Sequence, residues 1–310
     1  MKRNPGFSFA RIATDLIWLA AMALAVIFFS YLGLDVMTAR ETSDAPIELW
    51  NLTVSAGEQT VAYISMLFDG DLGAVVLVMR EEQVLDILKA SLKNSLGLLG
   101  ISLSIATILG TWIGSLAAVK RRSEGAYEML FFTMLGVSIP AFLVAILLQR
   151  GGIFYTTTFG RQLVNMGGYG WDIKHMAMPV LVLMARPLAH IARLVYISLS
   201  EILTKDYIRT ARSKGLRERL VVVVHAGSNL ATSLLTAFGV SLRYSLGILP
   251  LVEFIFAWLG LGLYALTAIR RRLPLLLIAI ALVFALSIRL IEMLIQGANR
   301  AIDPTWREQA

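Results

Sequence analysis

Four windows of this 310-residue chain carry no Asp, Glu, Lys or Arg over 19 or more consecutive positions: 16–34, 94–119, 129–149 and 220–242. About 20 apolar residues in a helix cross the hydrocarbon core of a bilayer, and each window meets that length. Two further apolar segments are interrupted by charge, 175–198 by Arg186 and Arg193, and 273–296 by Arg289 and Glu292. Six spans follow. Composition agrees, because 57% of the residues are hydrophobic and only 16% charged, more apolar surface than a soluble domain of this size can hide. With no cysteine, disulfide frameworks, thiolate metal sites and cysteine nucleophiles are excluded. His175, His190 and His225 are too scattered to suggest a metal centre. The expected fold is an all-α polytopic membrane protein. The first window is longer than a signal-peptide core and no clear small-residue cleavage site follows it, so it reads as a retained span.

Orientation follows from the distribution of Lys and Arg. With the N-terminus cytoplasmic, the inner segments 1–15, 119–127, 199–225 and 297–310 hold 14 Lys and Arg in 65 residues. The outer segments 33–93, 150–175 and 251–274 hold 10 in 111. Both termini are therefore placed in the cytoplasm. Arg270-Arg271-Arg272 runs against this pattern, which suggests that its segment is not a simple loop. The net charge of +7 is accounted for by inner loops facing anionic lipid and a protein partner. No basic patch with interleaved aromatics points to nucleic acid.

The domain reading is an N-terminal anchor span with an external segment (1–93), a core transmembrane domain (94–298) and a cytoplasmic tail (299–310). The external stretch ends in an Asp-Gly turn signal, an apolar run and then Val84, Leu85, Ile87, Leu88, Leu92 and Leu96 at roughly helical spacing. That pattern predicts an interfacial helix leading into the second span. Gly110 and Gly114 form a small-xxx-small pair suited to close helix packing. Pro140, Pro179 and Pro187 fall inside predicted spans and mark kinks or cavity-lining backbone. Trp112, Trp171, Trp258 and Trp306 read as interface or packing aromatics.

The segment Ser200–Asn229, SEILTKDYIRTARSKGLRERLVVVVHAGSN, is far longer than a passive connector needs to be. Asp206 suits the N-cap of a short helix. Tyr207, Ile208 and Ala211 give that helix an apolar edge, and Arg212 and Lys214 lie in its last turn, where cations complement the dipole. Gly215 supplies the left-handed residue that ends a helix, and a second helical stretch begins at Leu216. The result is a short helix–turn–helix element, shaped to enter a partner's groove and move as a rigid body.

At these residues the chain resembles a known family. DYIRTARSKGL (206–216) is similar to the cytoplasmic coupling motif of binding-protein-dependent ABC importer permeases, written E-A-A-x-x-x-G. The dipeptide/oligopeptide/nickel branch reads D-Y-[IV]-R-T-A-R-A-K-G-L, with Arg209-Thr210-Ala211 at the E-A-A positions and Gly215 at the glycine. Further matches run in order: GDLG (70–73), SIPAF (138–142), KHMAMPVLVL (174–183), ARLVYISLSEIL (192–203), EFIFAWLGLG (253–262) and AIDPTWRE (301–308). The departures are Gly227-Ser228 within the H-A-L-R-N element, Ser233 at a proline position and Leu259 at the proline of F-x-x-P-G-L-G.

The resemblance implies a type I importer permease with six spans and a cytoplasmic coupling helix, not an enzyme in itself. It implies a place in the inner membrane for this chain, beside a second, related but non-identical permease, with two ABC ATPase subunits and an external solute-binding protein. The chain would bind no cofactor, with ATP and magnesium on the partners; the lack of a G-x-x-x-x-G-K-[ST] loop agrees. The resemblance assigns the ATPase-coupling interface to Asp206, Tyr207, Ile208, Arg209, Thr210, Ala211, Arg212, Lys214, Gly215 and Leu216. Tyr207 and Ile208 are expected as groove contacts, and Arg209, Arg212 and Lys214 as partners of acidic or backbone acceptors. Cargo is peptide by resemblance, with a nickel chelate or another small solute left open.

Arg186 and Arg243 are the candidates for lining the translocation pathway, because charges within a bilayer usually face the bundle interior. Pairing with Glu253, Glu292 or freed backbone carbonyls is the structural reading of the same residues. A different class of protein, an ion- or proton-coupled carrier, would use Arg186, Arg243 and Glu253 as its relay.

Overall fold

The computed structural model describes residues 9–42, 48–77, 80–120, 131 and 138–302. The inner loop 121–127, most of the AIDPTWRE tail and Trp306 lie outside the described residues. In chain order the elements are α1 (Phe9–Thr42), α2 (Leu49–Phe68), β1 (Ala74–Leu77), β2 (Arg80–Gln83), α3 (Val84–Val119), α4 (Ala141–Phe159), α5 (Ile173–Ile202), α6 (Asp206–Ser213), α7 (Glu218–Leu220), α8 (Gly227–Ile255), α9 (Leu261–Arg271) and α10 (Pro274–Ile302). Six of them, α1, α3, α4, α5, α8 and α10, are long and apolar enough to cross a membrane, as expected.

Two helices run past the ends of their uncharged windows. The third window, 129–149, ends at Arg150, but α4 runs from Ala141 to Phe159. Its end is set by Gly160, whose φ of 65° and N–H bond to the Thr156 carbonyl form a left-handed stop. Pro140, expected inside the span, stands at the N-cap of α4, two residues after the helical Ser138. The fifth window, 220–242, ends at Arg243, yet α8 continues past it to Ile255. Both windows were closed by an arginine that the helix in fact carries, because a guanidinium on a flexible stem does not stop a helix.

The chain forms two compact units, one built from residues up to Leu92 with Tyr264–Arg289, the other from Lys93–Leu263 with the residues from Leu290 onward. In the first, α1 packs on α2 through Ile27, Tyr31, Ala56 and Tyr63. Asp35 on α1 accepts hydrogen bonds from Ser55 and Gln59 of α2, at 3.3 and 3.2 Å. Helix α2 was not foreseen within 33–93; its buried positions Ala56, Thr60 and Tyr63 recur every three to four residues. Strands β1 and β2 form an antiparallel hairpin, the one addition to a helical fold among the described residues. The helix expected to lead into the second span forms without a break from it. Val84, Ile87 and Leu88 are buried as their spacing predicts, and they are the first turns of the uninterrupted α3. Arg270 and Arg271 close α9, and Arg272, in the left-handed region at φ 54°, pairs with Glu41. The arginine triplet is thus a helix C-terminus with an acidic partner, where cations are favoured.

In the second unit α5 and α8 run side by side. Near one end Met178, Val182 and Leu183 cluster with Leu249, Val252 and Phe256. Near the other, Val195 and Leu199 cluster with Leu230 and Ala237. The registers run oppositely, so the two helices are antiparallel. Gly110 and Gly114 lie against α5: a Cβ at Gly110 would press on the Leu188 carbonyl, and one at Gly114 on the Ala192 carbonyl and Val195. The small-xxx-small pair therefore serves packing within the chain.

Candidate functional site

Three constellations in the second unit carry the residues singled out from the sequence. The first is the connection between α5 and α8. Helix α6 begins at Asp206, with Lys205 at the cap position and no side-chain capping bond, so Asp206 lies one residue inside the helix. Its carboxylate still complements the dipole there, and it meets Arg209 at 3.4 Å. Ile208 and Ala211 are buried in a cluster with Val195, Leu199, Val221 and Ala226. Ile208, expected to reach a partner's groove, is fully buried and instead pins α6 to the ends of α5 and α8. Tyr207 and Leu216 remain exposed, as do Asp206, Arg209, Thr210, Arg212, Lys214 and Gly215. The Tyr207 hydroxyl accepts a bond from Asn229 at 2.8 Å.

Two ion pairs brace this element. Lys205 bonds Glu201 at 2.8 Å, which pushes the Lys205 ammonium above its ordinary pKa. Arg212 grips Glu218 with both arms of its guanidinium, Nη2 to Oε1 at 2.6 Å and Nε to Oε2 at 3.1 Å. That hydrogen bonding likewise raises the Arg212 pKa. A fork of this kind fixes direction as well as distance, so α6 and α7 are held as one body. Gly215 makes the turn between them with φ 75° and open space around its Cα. The second helical stretch starts at Glu218, two residues later than expected. It passes through a wide π-helical turn, Val221–Ala226, before α8.

The second constellation closes the opposite end of α8. Glu253 and Ser95 are both buried. The Ser95 hydroxyl donates to Glu253 Oε1 at 2.5 Å and accepts from the Leu261 N–H at 2.8 Å. Glu253 Oε2 accepts from the Gly262 N–H at 2.6 Å, and the carboxyl also bonds the Leu263 backbone. These are the free N–H groups of the first turn of α9, satisfied by two side chains from other helices. The close fit explains the glycines of EFIFAWLGLG: a Cβ at Gly260 would fall on the Glu253 carboxyl, and one at Gly262 on Pro250. Trp258, fully buried, donates to the Asn94 carbonyl at 3.2 Å. It stacks edge-on with Tyr169 and Trp171 at 5.0 and 5.5 Å. His175 bonds Asp172, and that bond holds the Asp172 carboxyl below its usual range.

The third constellation holds the intramembrane arginines. The Arg186 guanidinium lies 4.0 Å over the ring of Tyr244, the neighbour of Arg243 in sequence. Arg186, Arg193 and Arg243 are exposed. The structure therefore brings Arg186 and the α8 turn of Arg243 together, while Glu253 is held by Ser95 and the α9 backbone. Ser95, Glu218 and Tyr244 were missed from the sequence. Only Glu218 left a signal there, an acid six residues after Arg212 across a Gly turn.

Residues 110–308 match the family described as binding-protein-dependent transport system inner membrane component. The chain is 32% identical over 240 residues to the di/tripeptide transport system permease protein of Pseudomonas aeruginosa, covering 69% of this chain and 70% of that one. It is 30% identical over 296 residues to the glutathione transport system permease protein of Pectobacterium atrosepticum, with 93% and 94% covered. To the dipeptide transport system permease protein of Escherichia coli it is 30% identical over 280 residues, 81% of each chain. Its fold is similar to that in an inward-facing crystal structure of the MetNI methionine ABC transporter, with a TM-score of 0.57, 16% identity, and 71% of this chain and 97% of that chain covered.

Proposed function

The chain belongs to the family of binding-protein-dependent transport system inner membrane components, and from that premise we propose that it carries peptide across the inner membrane as one permease subunit of an ATP-driven importer. The supporting observation is the braced α6–α7 element between two spans. Ile208 and Ala211 anchor it inward while Tyr207, Arg209, Lys214 and Leu216 face outward. An element held this way transmits displacement instead of absorbing it. Two ATPase subunits, carrying ATP and magnesium, would push on its exposed face and switch α5 and α8 between two arrangements. A second, related permease would complete the pathway, and a solute-binding protein would deliver cargo on the side opposite α6. The similarity to permeases named for di/tripeptides, dipeptide and glutathione supports peptide as cargo. In this arrangement both termini lie in the cytoplasm and the chain itself binds no cofactor.

The ion-coupled carrier reading is not favoured, because Glu253, its only acidic relay member, is bonded to Ser95, Gly262 and Leu263. The test is reconstitution with two ATPase subunits, a second permease and a solute-binding protein. ATP-dependent peptide uptake, lost when Tyr207 and Arg209 are both changed to Ala while the spans still assemble, is the expected result. Uptake driven by an ion gradient without ATPase subunits would overturn the reading.

A further inference from the structure

The exposed arginines of α5 and α8 fall on one stripe. On α5 Arg186, Arg193 and Ile197 are exposed with His190 half-buried between them, while Leu183, Ala189, Ile191, Ala192 and Val195 are buried. On α8 Thr236, Val240, Arg243 and Gly247 are exposed while Ser241, Leu242, Ser245 and Leu246 are buried. Both series repeat at three or four residues and so each marks a single helix face. The stack of Arg186 on Tyr244 places the two faces side by side at the same depth. Arg186 lies near the middle of α5, and Arg243 near the middle of α8. Arg193, seven residues on, stands roughly 10 Å farther toward α6 at 1.5 Å per residue. Among the described residues none of the three guanidiniums has a carboxylate within ion-pair distance.

Guanidiniums at mid-bilayer depth cannot face acyl chains without a cost of several kcal/mol each. The stripe must therefore face an aqueous or protein-lined space. We propose that Arg186 and Arg243 form a subsite for the carboxylate of the transported peptide, with Arg193 as the next station along the stripe. This rests on the peptide-permease reading above. The chemistry is specific: a guanidinium fork matches a carboxylate in two parallel hydrogen bonds. The Tyr244 ring holds the Arg186 guanidinium by a cation–π contact. Because the arginines are exposed and not enclosed, the cargo is guided and released, as transport requires.

The assembled importer, with its ATPases, second permease and binding protein, is reconstituted in proteoliposomes and supplied with labelled dialanine. Arg186→Gln and Arg243→Gln each lower uptake about tenfold, the effect of losing one charge-assisted bond pair, and raise the ATP hydrolysed per peptide imported by a similar factor. Arg186→Lys, which keeps the charge but not the fork, falls between. Unaltered uptake in both Gln variants overturns the subsite. So does a parallel fall of uptake, ATP hydrolysis and assembled complex, the pattern of arginines that only pair with an acidic side chain of the second permease. If the wild-type complex imports neither dialanine nor any other peptide offered, the peptide reading falls, and the carboxylate assignment with it.

Discussion

The carboxyl of Glu253 and the hydroxyl of Ser95 do for α9 what an N-cap residue usually does from within its own helix. They reach the first-turn N–H groups of Leu261, Gly262 and Leu263 from α8 and α3. Their removal strands donors in a buried place, at about 1–3 kcal/mol for each group left unpaired. Glu253→Ala is therefore expected to lower the thermal unfolding midpoint of the detergent-solubilised protein well below that of Glu253→Gln, which keeps one acceptor. Equal midpoints would show that the network does not hold α9. At Gly215 the constraint is backbone alone, because nothing lies within 4 Å of a Cβ there. Asn tolerates the left-handed region and Val does not. Gly215→Asn should keep most of the ATP-driven uptake, while Gly215→Val, costing roughly 1–2 kcal/mol in that conformation, should lose most of it. Similar losses for both would mean that side-chain bulk against a partner, not backbone strain, decides.

The elements were unequally legible. Span number followed from four charge-free windows and two apolar segments interrupted by charge, since a bilayer demands length and apolarity and little else. Span position did not, because Arg150 and Arg243 closed windows that the helices run through. The short helix at 206–213 was readable from its Gly stop and apolar edge, but which apolar residue faced inward was not. Tyr207 and Ile208 are adjacent, and only the positions of Val195, Leu199 and Val221 turn one outward and the other in. The Gly110 and Gly114 contacts with the α5 backbone make a prediction for these elements. Gly114→Leu overpacks the α3–α5 seam, a change typically worth about 1–3 kcal/mol. It should reduce the amount of folded, extractable protein, whereas Gly100→Leu, whose Cβ would meet open space, should not. The reverse order would place the seam elsewhere.

For the whole molecule, the distribution of Lys and Arg predicts both termini and α6 on the cytoplasmic side, an orientation we propose and that labelling can test. The chain has no cysteine, so single cysteines report topology without background. Ser213→Cys should react with a membrane-impermeant maleimide only in inverted vesicles, and Leu163→Cys only in intact cells. The opposite pattern would invert the assignment. Sequence by itself determined the class of solvent and the linear order of parts. It marked six apolar spans, the patterned connector with its glycine stop, and the family those ordered motifs resemble. Those properties depend on local composition, which a bilayer and a helix read one segment at a time. Only the tertiary structure decided that Glu253 caps a helix, that Ile208 anchors where Tyr207 presents, and that Arg186 and Arg243 share a stripe. Each depends on partners from distant segments. Ser95 lies 158 residues from Glu253, and hydrogen bonding and burial at that separation are set by how the helices pack, not by their spacing along the chain.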